Sequence, residues 1–90
     1  MKQFLVEVFT ARANAGNLVT AERRATLAAR RLSNGDRQVR FVRATYIPQD
    51  EICFFVFDAP SGQDAALAAH RAGLEAIRVV EAVSSKKEEQ

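Results

Sequence analysis

The sequence predicts an α+β domain of strand–helix–strand–strand–helix–strand order, and three features carry that expectation. Phe4 to Phe9 alternates, with Phe4, Val6 and Val8 on one side and Leu5, Glu7 and Phe9 on the other, which is the period of a strand. Leu18, Ala21, Ala25, Ala28, Ala29 and Leu32 recur at spacings of three and four, which is the period of a helix. The densest apolar run, Ile52 to Ala59, ends at Pro60, and Ser61 with Asp64 three residues later has the form of a capping box opening a second helix.

Taken in order, the first strand spans Phe4 to Phe9. Thr10 to Asn17 has no apolar period and reads as a loop leading to a helix that starts at Asn17 or Thr20. That helix reaches Leu32 and stops at Ser33-Asn34-Gly35-Asp36, where asparagine and glycine tolerate a left-handed backbone. Gln38 to Ile47 and Ile52 to Ala59 are rich in β-branched and aromatic residues, and Pro48 to Glu51 between them predicts a hairpin. The second helix runs from Gly62 to Ala72, ahead of Gly73, and the last strand from Ile77 to Val83. Residues 1–83 are expected to be one domain, and 84–90 a flexible charged tail.

Right-handed crossovers and a short hairpin close this order most simply as a ferredoxin-like βαββαβ fold, a four-stranded antiparallel sheet with the first and third strands central. Both helices then cover one face. Phe9, Phe41, Val79 and half of the Phe54–Phe57 cluster are left for the other face, and an apolar patch of that kind marks an interface. A chain of 90 residues buries only about 60 to 65% of its unfolded surface, so association through that face is energetically useful. The expected partner is a second copy, joined back to back as a dimeric α/β barrel.

Hydrophobic residues make up 48% of the chain and charged ones 27%, which gives no sign of disorder. The net charge of +2 is carried mostly by scattered arginines, and Arg23, Arg24, Arg30 and Arg31 on the first helix read as a solvated face. EICFFVFDA has no counterpart of the aromatic and basic RNP1 motif, so no nucleic-acid partner is expected. The opening MKQFLVEVF is too short and too polar for a signal peptide or a membrane span, and Cys53 stands alone. A cytoplasmic protein without membrane contact is the expectation.

Glu7 and Glu81 each lie in a strand beside apolar neighbours, and the first and last strands are adjacent in this topology. Two carboxylates sharing one sheet face could form a pocket, with Arg43, alternating with Phe41 and Thr45, as counter-ion. Tyr46 beside the hairpin turn could lend its hydroxyl to the pocket mouth, or cover an edge. His70, near the end of the second helix, complements the helix dipole or ligates. Cys53 reads as a small buried hydrophobe. No glycine-rich phosphate loop, nucleophile elbow, CxxC or HExxH occurs, which removes the strongly signposted enzyme classes.

From Gln3 to Val83 the sequence resembles a family of small actinobacterial-type proteins described as nickel-binding or nickel-responsive. The likeness rests on Ala59-Pro60-Ser61, the Arg71-Ala72-Gly73 turn, and Glu81 in the last strand. It implies a ferredoxin-like fold, a dimeric α/β barrel, and nickel held partly by histidines. Lining up on Arg71-Ala72-Gly73 puts Ala69, Leu74 and Val80 where the nickel-binding branch has histidines, and His70 where it has glutamate. This chain is therefore similar to a branch lacking most of those ligands, with Glu7, His70 and Glu81 left as the candidate metal set.

The expected function is that of a small dimeric binding protein, holding a divalent metal or small ligand in a pocket lined by Glu7, Arg43, Tyr46, His70 and Glu81. The alternative is a cofactor-independent enzyme of monooxygenase, cyclase or isomerase type on the same barrel.

Overall fold

A computed structural model describes residues 1–84; the tail expected over 84–90 lies, from residue 85 on, outside the described residues. The elements are β1 (Lys2–Phe9), a 3-10 helix (Arg12–Asn17), α1 (Leu18–Leu32), β2 (Arg40–Ile47), β3 (Ile52–Ala59), α2 (Gly62–Arg71) and β4 (Ala76–Ala82). The sheet is antiparallel in the order β2-β3-β1-β4, so β1 and β3 are central as expected. This is the ferredoxin-like arrangement, with both helices on one face.

The expected loop after β1 folds as a 3-10 turn that runs directly into α1, so Asn17 makes no side-chain cap. Ser61 does cap α2: its hydroxyl accepts from the Asp64 N–H at 3.2 Å and donates to the Asp64 carboxylate at 3.1 Å. At the other end, Gly73 takes φ +80°, the Gly73 N–H reaches the His70 carbonyl, and the Leu74 N–H reaches that of Ala69. This pair of bonds is the Schellman closure, and it explains why glycine stands there.

Alanines set the spacing between layers. Ala21, Ala25, Ala28 and Ala29 of α1, and Ala65, Ala68 and Ala69 of α2, are all buried. Small side chains let both helices lie close to a floor made by Phe4, Val6, Cys53, Phe55 and Phe57. Phe41 joins that floor, its ring 5.4 Å from Phe57 edge-on and 6.1 Å from Phe55.

Two expectations about the sheet are thereby corrected. Phe41 and Val79 pack on the helix side rather than the open face. The pairing register slips between Phe41 and Arg43, so Val42 is an extra residue, and simple alternation fails to put Phe41 with Arg43 and Thr45. Val79 stands opposite Val6 of the core strand, which decides its side.

Candidate functional site on the uncovered sheet face

The register across all four strands lays out the uncovered face as rows. Nearest the hairpin come Phe9, Ile52 and Ile47; next Arg78, Glu7, Phe54 and Thr45; then Val80, Leu5, Val56 and Arg43; and last Ala82, Gln3, Asp58 and Arg40. Three rows contain large apolar side chains, and the fourth is almost wholly polar. Phe9 is 59% exposed, whereas Val56, flanked by Leu5, Arg43, Phe54 and Asp58, is buried even in the single chain.

The two carboxylates of this face each hold an arginine. Arg78 Nε donates to Glu7 Oε1 at 2.8 Å. Arg40 donates to Asp58 Oδ2 at 2.6 Å, and Gln3 Nε2 donates to Asp58 Oδ1 at 3.3 Å. Both acidic side chains are the better buried member of their pair, at 19% and 17% exposure against 65% and 69% for the arginines. The guanidinium groups lie over half-buried carboxylates and offset their desolvation.

Glu7 and Glu81 do not share a face, contrary to the sequence expectation. Glu81 stands opposite Phe4, a core residue, so it belongs to the helix side of the edge strand, where it remains exposed. The cause is register: β4 pairs with β1 in one unbroken stretch from Gln3 opposite Ala82 to Glu7 opposite Arg78, so Arg78, not Glu81, comes level with Glu7. Arg43 is likewise not the counter-ion of Glu7; it lies one row along and two strands away, opposite Val56.

The remaining expected residues are dispersed. Tyr46 stands opposite Cys53 on the helix side, and its hydroxyl donates to the Thr10 carbonyl at 2.8 Å, closing the loop after β1 onto the hairpin. His70 is exposed in the last turn of α2. The α2 start lies over Phe4, the residue opposite Glu81, so His70 and Glu81 sit toward opposite ends of that helix. Among the described residues no group of three His, Cys, Asp or Glu side chains is placed to hold a metal. Glu7, His70 and Glu81 of one chain therefore do not fit the nickel site that the resemblance implied.

Cys53 is fully buried and its thiol is pushed up to about 11, first by burial and then by the Glu22 carboxylate, with a hydrogen bond to the Thr45 backbone acting the other way. Such a thiol is protonated and inert, as its sequence context suggested. Among the described residues, no helix is long and apolar enough to cross a membrane.

Sequence reasoning missed Asp58, Arg40 and Arg78. The signal existed for Asp58: alternation in ICFFVFDA puts it with Phe54 and Val56, away from Cys53, Phe55 and Phe57. Arg78 and Glu81 are three apart in a strand and so must face opposite ways, but only pairing with β1 says which faces the helices.

No family model matches the chain, and no curated protein matches it. The fold does have a solved counterpart. The crystal structure of SCO4226 from Streptomyces coelicolor A3(2) superposes with a TM-score of 0.72 over 93% of this chain and 99% of that one, at 22% sequence identity. The likeness is one of fold.

Proposed function

We propose that the chain is a homodimeric binding module whose two uncovered sheet faces meet and enclose a small, largely apolar ligand. The observation that carries this reading is the band of Phe9, Ile52, Ile47, Phe54, Leu5 and Val80 on a face whose carboxylates are already neutralised. A second copy is the fitting occupant because the charge pattern is complementary to itself: each copy brings Glu7 beside Arg78 and Asp58 beside Arg40. Four strands of about eight residues offer roughly 500 Å² of flat sheet per copy, near the lower bound for a specific interface once two copies are counted. An interface of that size need not be filled, and a gap beside Phe54 and Glu7 would suit an apolar ligand carrying one hydrogen-bonding group.

Light scattering coupled to size exclusion tests the dimer, with Leu5→Glu as the variant that places an unpaired carboxylate in the apolar band. Wild-type protein is expected at the dimer mass and the variant at the monomer mass. A monomeric wild type at about 100 μM sinks the proposal. Native mass spectrometry of the purified dimer then reads any retained ligand. An organic mass supports this reading, and a divalent metal in stoichiometric amount replaces it with a metal site.

A further inference from the structure

On the opposite side of the molecule, where the helices face outward, α1 and α2 form a groove of about 260 Å³ lined by Arg24, Leu27, Ala28, Arg31 and Arg71. Arg24 and Arg31 are seven residues apart, two turns on one helix stripe, with Leu27 and Ala28 between them as an apolar floor. Arg71 comes from the last turn of α2. None of the three arginines has a carboxylate partner among the described residues, whose ion pairs are Arg37–Asp64, Arg40–Asp58 and Arg78–Glu7.

We infer that this groove is a binding site for a small soluble phosphate compound. Three points carry the inference. First, the groove gathers three unpaired cations from two elements, which repel one another unless an anion lies between them. Second, one of them is pre-positioned: Arg24 Nε donates to the Ala72 carbonyl at 3.0 Å, a bond spanning 48 residues that fixes the guanidinium where the helix ends. Its terminal nitrogens stay available as donors. Third, three guanidinium forks offer more donors than the two oxygens of a carboxylate can accept, whereas a phosphoryl group presents three oxygens and a double charge. The volume corresponds to about nine water molecules, which suits phosphate or diphosphate better than a nucleic-acid strand. This site lies on the helix layer, away from the uncovered sheet face, and stands or fails independently of the dimer.

The test is calorimetric titration of the full chain with sodium pyrophosphate at low ionic strength, alongside chloride and sulfate. Wild-type protein is expected to bind one pyrophosphate per chain saturably, and Arg31→Ala and Arg71→Ala are each expected to weaken it about tenfold. Both side chains are exposed, so the fold tolerates their loss. Arg30→Ala, which removes the same charge from the same helix outside the groove, is expected to change affinity less than about threefold. Absence of saturable binding overturns the proposal, as does an equal loss in Arg30→Ala, which would mean a diffuse field. Binding to phosphatidic acid vesicles without binding to pyrophosphate assigns the phosphate to a lipid surface and overturns the soluble ligand.

Discussion

Glu7 and Arg78 stand level on neighbouring strands, 71 residues apart in sequence, and their 2.8 Å bond lies on the face that no helix covers. Arg78 is mostly exposed, so in the monomer the pair is a modest stabiliser: Arg78→Ala should cost under about 1 kcal/mol in urea unfolding, and less in high salt. Its larger effect is expected on association. Arg78→Glu sets two carboxylates side by side and should raise the dimer dissociation constant at least about tenfold by sedimentation; unchanged association excludes this pair from the contact.

Glu51 closes the hairpin with φ +55°, the only non-glycine residue among those described with a positive value. It also anchors the loop after β1: its carbonyl accepts from the Thr10 N–H at 2.7 Å and its carboxylate from the Arg12 N–H at 3.0 Å. Glu51→Gly relieves the backbone and keeps the carbonyl bond but loses the carboxylate bond to the Arg12 N–H, so a net change below about 0.5 kcal/mol is expected. Glu51→Val loses the same carboxylate bond and adds β-branched strain at positive φ, and it should destabilise by about 1 to 3 kcal/mol. Chemical denaturation of the two variants distinguishes them, and equal costs would mean that the strain is unimportant.

Cys53 makes stability pH-dependent at the alkaline end. In the unfolded chain a thiol ionises near about 8.5, while in the fold its proton is held up to about 11. Between these values the native state binds the extra proton, so stability falls as pH rises through that window. Cys53→Ala should flatten this part of the stability curve although it leaves a small cavity. Thiol-reactive dyes at neutral pH should label native protein only at the rate of unfolding, and rapid labelling would contradict the burial.

Ala68 lies in the helix layer with no exposed surface. Ala68→Leu forces added methylene and methyl groups between α2 and the rest of the core and is expected to cost about 1 to 3 kcal/mol, read as a lowered melting temperature. Ala66, exposed on the same helix, should accept the same change within about 0.5 kcal/mol. Similar effects at both positions would refute close helix packing.

Much of the fold was legible because its signals are local. The alternation of FLVEVF, the alanine stripe of the first helix, Ser61 with Asp64, and Gly73 each act within one turn or one strand. The strand order followed from the shortest right-handed connections. Tyr46 admits two readings in the sequence, and its bond to the Thr10 carbonyl decides between them. The candidate site was less legible, since it depends on the extra residue at Val42 and on the register in which β4 pairs with β1. Neither leaves a mark in composition or period.

By itself, then, the sequence determined which residues of the central strands β1 and β3 share a side, because side-chain direction alternates along a strand that has no extra residue. It also determined where α2 begins and ends, because Ser61 and Gly73 close it through neighbours in sequence. Only the tertiary structure decided that Arg78 rather than Glu81 meets Glu7, and that Arg71 joins Arg24 and Arg31 across two helices. Both outcomes depend on how separate elements slide past one another, and that offset is set by the packing of Phe4, Val6 and Val79 and of the helix alanines, summed over the whole core.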